Sequence, residues 1–393
     1  MIRRIALLAL LVLAAPTASS AQSLFIGAGL GVPTDPLDAR ARALGGVGIG
    51  LHGPALLGSD PAAAASFLLP TLIMTAQPSW VDYGRDSGDA GTFRGTRFPN
   101  VGIAYPVFRV GVVTLSLESF LDQRYQARRS VTLDLGEGPV EATDRFLSNG
   151  GVSQVRVGFA RPVGERLRVG VSAGAFTGSV TRRLERLFFE DSDTTASTQV
   201  ERYQAGGLWG YSGNSVTGGA SLSLGTFAEV AGSVTWSSAL DATPSDDTDG
   251  AARSFDLPLT VRLGATADLA PGLSLSAGYT RADWSVVDDD LMEGASAGTT
   301  NSLGVGVELS RARLFGRQAP LRLGYRKTDL PFALGAGSAS EKVWAGGIGL
   351  NLSQIGELVR AGVDLALERG DRSDTTLSES FWRATLTVKV AGF

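Results

Sequence analysis

The sequence predicts an all-β protein: a 14-stranded antiparallel transmembrane β-barrel with an N-terminal plug inside its lumen. Three observations lead to this prediction. From Thr71 onward, apolar residues recur at every second position over segments of about ten residues, the length that a tilted strand needs to cross a membrane. Short turns alternate with long polar loops along the same stretch. Before it, residues 41–62 are rich in Gly and Ala, are interrupted by Pro54 and Pro61, and fit neither a strand nor a long helix.

The chain begins with the features of an export signal. Arg3 and Arg4 precede a short apolar run, and residues 19–21 are small residues of the kind found at a cleavage site. We therefore predict a signal peptide over residues 1–21, a plug over 22–70 and a barrel over 71–393. The chain contains no Cys, so neither disulfides nor thiolate chemistry contribute.

Composition narrows the possible partners. The formal charge is −4, and the loss of Arg3 and Arg4 with the signal makes it −6, which argues against a nucleic-acid partner. The 51 glycines show no collagen-like period, and they are explained more simply by one closed β structure than by several soluble domains. No cofactor or metal is implied.

The alternation has the polarity that a membrane wall needs. For example, Leu303, Val305 and Val307 alternate with Gly304 and Gly306. Apolar residues would face lipid, and Gly, hydroxyl or charged residues would face a wet lumen. A soluble β-sandwich also alternates, but its packed face should be rich in bulky residues. The many glycines and the export signal favour the barrel.

The connections give the strand count. Six tight turns are predicted at 106–108, 162–165, 225–226, 270–272, 315–317 and 354–356. Seven longer loops are predicted at 84–97, 126–150, 187–213, 241–254, 286–298, 330–340 and 370–378. This alternation requires fourteen strands with both chain ends on the periplasmic side. Strand-like pieces at 130–135 and 199–203 are assigned to hairpins above the membrane.

Aromatic residues near the predicted strand ends fit the two interfacial girdles of such a barrel. They are Tyr105, Phe108, Phe227, Trp236, Tyr279, Trp284, Trp344 and Trp382. A barrel of fourteen strands lies between those filled by side chains and those with an open channel. Left empty it would leak, which is the physical reason to expect the Gly-rich segment inside it.

Arginines predicted to face the lumen have two possible roles. They are Arg156, Arg166, Arg168, Arg262, Arg322, Arg326 and Arg360. One role is to bind a ligand carboxylate. The other, which we favour, is an ionic network that holds the plug, with Asp268, Glu308, Asp364 and Glu368 as the acidic partners. We expect Arg42 of the plug to join it. The candidates for ligand binding or plug–wall contact are Arg42, Arg156, Arg262, Arg322 and Arg360.

An enzymatic role is disfavoured. Catalysis by a nucleophile needs a general base beside it, and the single His of the chain, His52, has no Ser motif around it.

The plug motifs resemble those of the FadL-type outer-membrane transporters. In that family an A-R-x-x-G-x-G run precedes an N-P-A motif. Ala41, Arg42 and Gly45 match the first part in position, and Gly48 matches its last glycine after one extra residue. Asp60, Pro61 and Ala62 stand at the second part, with Asp in place of Asn. Residues 254–285 and 321–331 are similar to later hairpin segments of the family.

The resemblance implies passive uptake of hydrophobic small molecules, such as long-chain fatty acids, across the outer membrane of a Gram-negative-type bacterium. The ligand would move to an apolar site beside the plug and leave through a wall opening next to a distorted strand. The expected partners are this ligand, outer-membrane lipid and lipopolysaccharide, and the expected state is a monomer. The alternative is a plugged-barrel adaptor that binds proteins for secretion or surface display through loops such as 187–213.

Overall fold

The computed structural model describes residues 23–85, 90–134, 139–188, 203–248, 250–291, 295–314, 316–334, 337–355 and 358–393. The predicted signal peptide lies outside these ranges. A two-residue strand of the N-terminal segment, β1 (Val32–Pro33), precedes the barrel. The barrel strands are β2 (Thr71–Arg85), β3 (Ala90–Val107), β4 (Gly111–Asp122), β6 (Pro139–Val163), β7 (Leu167–Phe188), β8 (Tyr203–Leu224), β9 (Ala228–Ser237), β12 (Thr260–Ala270), β13 (Leu273–Asp283), β15 (Thr299–Leu309), β18 (Leu321–Asp329), β20 (Ser340–Ile355), β21 (Leu358–Ser373) and β22 (Leu377–Ala391).

Shorter elements lie in the connections and in the N-terminal segment. The short strands are β5 (Tyr125–Asp134), β10 (Leu240–Pro244), β11 (Arg253–Phe255), β14 (Ala295–Ala297), β16 (Arg313–Leu314), β17 (Arg317–Gln318) and β19 (Phe332–Leu334). The helices are α1 (Ala39–Ala43) and three 3-10 helices at Leu24–Ala28, Pro61–Ser66 and Trp284–Asp290. Among the described residues, no helix has the length and apolar character to cross a membrane.

The fourteen strands close on themselves. Strand β22 pairs with β2 from Thr71↔Ala391 to Arg85↔Leu377, and every neighbouring pair around the ring is antiparallel. Closure supplies partners for the backbone groups of both end strands, as lipid requires. The predicted fold class and strand number are therefore confirmed.

The two faces of the wall have opposite polarity. On β15 and β18, the outward-facing Val305 and Leu323 are 40% and 71% exposed. Glu308 and Arg322, which face inward from the same two strands, are buried. Stacked sheets of a sandwich would bury those apolar side chains instead. The alternation of exposed apolar and buried polar side chains thus indicates a wall with an apolar exterior, as predicted.

The lumen is filled rather than open. One apolar cluster, which includes Phe176, Phe255 and Trp284, lies inside toward the loop ends of the strands. In a second cluster, the 3-10 helix at Leu24–Ala28 packs against strand residues such as Phe381. Residues 37–63 of the N-terminal segment form a third. The sequence indicated a hydrated, glycine-lined interior, and the structure instead shows protein against most of those glycines.

Several boundaries differ from the prediction. Residues 84–97 were expected to be a loop, but β2 and β3 continue as a paired hairpin to Gly84↔Ala90, because Val81 and Phe93 are buried against the Leu24–Ala28 helix. The hairpin predicted around 130–135 is confirmed as β5 paired with β6, whereas most of 199–203 lies outside the described residues. Trp284 is wrongly assigned to the girdle, since it is 5% exposed and packs inside the barrel.

The outward face yields the first prediction. Replacing Val305 by Arg places a charge near the middle of β15, where the wall should meet hydrocarbon, and should lower the free energy of unfolding by about 2–4 kcal/mol. Urea titration of the protein folded into phospholipid vesicles measures this change. The control is Leu208→Arg, which is equally exposed but lies toward the outer end of β8, and which should change little. Equal effects of the two variants would contradict a membrane wall at Val305.

Candidate functional site

The N-terminal segment follows the inner wall as a chain of short turns. Asp38 caps α1 by accepting the N–H of Ala41 at 2.9 Å. Gly45 and Gly46 end this helix with φ values of 72° and 74°, which residues with a side chain rarely adopt. The chain can therefore reverse within one turn and stay close to the wall.

The Asp60-Pro61-Ala62 motif ties the two halves of this segment together. One Asp60 carboxylate oxygen accepts the N–H of Ala63 at 3.1 Å and the other accepts the N–H of Gly50 at 2.9 Å. The two bonds use different oxygens, and an Asn at this position would present an N–H donor in place of one of them. Burial raises the pKa of the Asp60 carboxyl above its ordinary value, while these two N–H donors act in the opposite direction.

Wall glycines leave room for the backbone of the N-terminal segment. A Cβ at Gly324 would overlap the backbone of Leu44 and Gly45, and one at Gly264 would overlap Ile49. The same is true on the far side of the ring, where a Cβ at Gly170 would overlap Pro61. Along the chain the segment meets β18, β12 and β7 in turn, so it lies inside the ring of strands, and it is called the plug below.

A network of ion pairs connects α1 of the plug to the wall. Arg40 makes two hydrogen bonds of 3.0 Å to Glu308, which also binds Arg322 at 2.6 Å. Arg322 binds Asp364 at 2.6 Å, and Lys389 bridges Asp364 at 3.4 Å to Asp38 of the plug at 3.0 Å. The structure thus places Glu308 and Lys389 in direct contact with the plug, and Arg322 and Asp364 in the wall network that links these two residues.

A second network of ion pairs runs from Arg42 to Ser23 and Leu24, the first residues that the structure describes. Arg42 Nη1 lies 4.0 Å from Glu368, and Arg42 Nη2 donates to the Asp35 carbonyl at 2.6 Å. Glu368 also contacts two wall arginines, and the network continues through Arg326, Glu341, Arg372 and Glu379. Glu379 then accepts the Ser23 hydroxyl at 2.7 Å and the Leu24 N–H at 2.6 Å.

Other predicted residues lie elsewhere. Asp268 does not pair with an arginine: it lies 3.8 Å from His52 Nε2, while Glu229 lies 3.7 Å from His52 Nδ1. Arg360 is exposed at the turn end of the barrel, where it donates to the Gly392 carbonyl at 2.7 Å. The structure therefore does not bring Arg360 to the other candidates.

A cavity of about 190 Å³ lies between the plug loop at 32–37 and the wall. Its aromatic lining includes Phe120, Phe176 and Trp284. The charged lining consists of Arg42, Arg97, Arg156, Arg262, Arg326, Arg372, Arg383, Asp35, Glu118 and Glu341. With seven arginines and three carboxylates, the cavity joins an aromatic wall to an excess of positive charge.

Two of these arginines make only neutral hydrogen bonds. Arg156 lies 3.4 Å from Glu118. By contrast, Arg262 donates to the Thr235 hydroxyl at 3.0 Å, and Arg97 donates to Gln77 at 2.6 Å and to Thr34 at 3.3 Å. No ion pair joins Arg97 or Arg262 to a carboxylate among the described residues. The sequence did not single out Arg97, because it lay in a segment predicted to be a loop.

The wall is discontinuous beside this cavity. The ladder between β3 and β4 runs from Val107↔Gly111 to Asn100↔Glu118 and goes no further. Beyond Glu118, β4 pairs instead with β1 of the plug, as Pro33↔Leu121 and Val32↔Asp122, and its pairing with β6 shifts register between Ser119 and Leu121.

Side chains cover the edge of β3 that this break leaves. The Ser119 hydroxyl donates to the Phe98 carbonyl at 3.3 Å, and Arg124 donates to the Thr96 carbonyl at 3.1 Å. Backbone groups are thus partly satisfied without a strand ladder. A gap closed by side chains can open at lower cost than a ladder of backbone bonds.

Comparison with known proteins identifies the fold. No family model matches the sequence, and no curated protein does. A FadL homologue of Pseudomonas aeruginosa shares the structure with a TM-score of 0.63 at 12% identity, over 92% of this chain and 100% of that one. The monoaromatic hydrocarbon channel CymD gives a TM-score of 0.55 at 15% identity, over 92% and 98% of the two chains. The Ralstonia pickettii toluene transporter TbuX gives 0.56 at 16% identity, over 91% and 98%.

At these identities the similarity shows the fold alone. Each structure is matched over nearly its whole length, so the shared feature is the complete barrel rather than one hairpin. The chain has the FadL-type fold, and the resemblance drawn from its motifs is confirmed at this level.

The close fit of plug and wall yields the second prediction. Gly324→Val would force Leu44 and Gly45 off the wall at a cost of about 1–3 kcal/mol, so small hydrophilic dyes should leak faster into proteoliposomes. The matched control is Gly346→Val, whose Cβ would meet Leu323 at an ordinary 3.6 Å. Leakage that is unchanged by the first variant, or equally raised by the second, would argue against the plug as the barrier.

Proposed function

We propose that this chain is a monomeric outer-membrane channel that admits small hydrophobic molecules by passive diffusion in a Gram-negative-type bacterium. An apolar exterior suits it to lipid, and the plug would block a water path through the lumen. The observation that carries the proposal is the break in the β3–β4 ladder, because it lies beside the cavity, where an opening would lead to the lipid-facing side of the wall. The FadL-type fold supports it.

The proposed route avoids the aqueous centre of the barrel. A ligand that reaches the aromatic cavity would leave sideways between Phe98 and Ser119, where side chains rather than a ladder close the wall. This path keeps apolar surface out of water, which is favourable by roughly 25 cal/mol per Å². The plug need not leave the lumen, so its ion pairs with the wall are compatible with transport.

The charge of the cavity supports a ligand with an acidic end. A long-chain fatty acid presents a carboxylate that the guanidinium groups of Arg97 and Arg262 would bind, since neither is paired with a carboxylate in the part of the chain that the structure describes. At about 190 Å³ the cavity is smaller than the roughly 300–1,000 Å³ of drug-sized sites, so it would hold the acidic end while the acyl chain extends toward the gap. Arg42, Arg156 and Arg322 are proposed to serve plug and wall instead, because each already faces a carboxylate.

Crosslinking tests the sideways route. The chain has no Cys of its own, so Phe98→Cys with Ser119→Cys introduces one reactive pair across the gap. Joining the pair with a short bifunctional thiol reagent should abolish uptake of radiolabelled oleate or toluene, and a reagent with a cleavable spacer should restore uptake after reduction. The control pair, Leu275→Cys with Val307→Cys, lies across an intact ladder and should have no effect when joined. Full uptake by the crosslinked gap variant would refute the route.

The proposed role of the two arginines gives a further prediction. Arg97→Met and Arg262→Met should each weaken oleate binding by about tenfold to a hundredfold, because a hydrogen bond to a charged group contributes about 1.5–3 kcal/mol. Isothermal titration in detergent measures this change. Binding of an alkane of equal length should be unaffected, and Arg281→Met at the exposed outer end of β13 is the control. Equal loss for oleate and alkane would assign the arginines to structure rather than to carboxylate binding.

A further inference from the structure

The turn end of the barrel carries an arginine-rich rim. Both ends of the barrel chain meet here, since the Gly392 N–H donates to the Pro70 carbonyl at 2.8 Å. Exposed arginines in or beside the turns of this end are Arg109, Arg161, Arg166, Arg311, Arg313 and Arg317. Arg360 is exposed at the same end, and the exposed acidic residues in or beside the described part of these turns are Glu165 and Asp268. The rim is therefore strongly positive although the chain as a whole is negative.

One turn of this rim differs from the others. The connection between β15 and β18 folds into its own hairpin, β16 and β17, and leans on the end of β20, where Arg317 Nη1 donates to the Leu352 carbonyl at 3.0 Å. Between the hairpin and β20 lies an open groove of about 800 Å³. Its lining contains Arg311, Arg313 and Arg317 together with amide side chains, and none of the described residues that line it carries a carboxylate.

The surroundings of this groove are apolar. Leu314 of the hairpin is 40% exposed and Ile355 at the end of β20 is 63% exposed. Next to them, the last paired residues of β15 and β18, Leu309 and Leu321, face outward. The groove thus lies at the level where the lipid-facing wall ends, with cationic and apolar groups side by side.

We infer that this groove binds the phosphate headgroup of an anionic phospholipid in the periplasmic leaflet. A guanidinium group can bind two phosphate oxygens at once. The described lining holds three guanidinium groups and no acidic side chain, a charge that a phosphodiester complements. The exposed Leu314 and Ile355 suit the first carbons of the acyl chains. A zwitterionic lipid would bring its own cation into a positive groove, so the site should discriminate by net charge. The inference does not depend on transport.

Native mass spectrometry of the full-length chain tests the site. The protein is stripped of lipid in detergent and then offered phosphatidylglycerol or phosphatidylcholine with the same acyl chains. The wild type should retain several-fold more phosphatidylglycerol than phosphatidylcholine. The triple variant Arg311→Gln, Arg313→Gln, Arg317→Gln should lose this preference, whereas the matching Lys triple should keep most of it because the charge remains.

The control removes three charges from the opposite end, as Arg128→Gln, Arg129→Gln and Arg281→Gln, all of which are exposed. It should bind phosphatidylglycerol like the wild type. Heat-dependent gel migration of every variant reports whether the barrel is folded. Three outcomes would overturn the inference: an unchanged lipid preference in the folded rim variant, an equal loss in the control, or displacement of the lipid by excess inorganic phosphate, which would indicate a site for free anions. Binding of an acidic periplasmic protein without any lipid preference would equally overturn it.

Discussion

The structure depends on one constraint: in hydrocarbon, a backbone N–H or C=O without a partner costs several kcal/mol. The constraint explains why β22 must return to β2 and why the strand number follows from counting turns. The same constraint applies where the ladder between β3 and β4 ends and the backbone groups need other partners. There the partners of the ladder are replaced by the plug strand β1 on one side and by Ser119 and Arg124 on the other. Other ladders of the wall show only local register shifts, as between β2 and β3, whereas here side chains and the plug strand take the place of the ladder.

Plug and wall fit each other through two different interactions. Glycines on both surfaces permit direct backbone contact, as at Gly45 and Gly324. The contact is so close that one added methyl group at Gly324 would displace the plug. Ion pairs such as Arg40–Glu308 then fix its orientation. Buried ion pairs add little net stability, because desolvation offsets much of their attraction. Their loss is costly, however, since a lone buried charge would remain. The plug is therefore specific in position without being bound very tightly.

The sequence was sufficient for the features that repeat. Alternation at period two, the short turns and the Gly-rich segment predicted the barrel, the strand number and a segment inside it, because each of these follows from local chemistry. It was not sufficient where tertiary contacts decide. Strands β2 and β3 extend through a predicted loop because the N-terminal helix buries Val81 and Phe93. Trp284 points inward although its position in the strand suited a girdle, and Arg360 remains at the rim although its alternation suited the lumen. No pattern in the sequence distinguished Arg97 and Arg262 from arginines that meet a carboxylate, because that depends on which strands face each other across the ring.

The anchoring of the first described residues has a consequence for the order of folding. Ser23 donates to Glu379, a contact that spans 356 residues of sequence and reaches the final strand. Loop closure over such a separation is slow and comes after local hairpins have formed. Ser23 and Leu24 can therefore make these contacts only after the last strand has formed, and a barrel that lacks β22 has no acceptor for them. The N-terminal arm is thus fixed in place only in a barrel whose last strand has been made and paired.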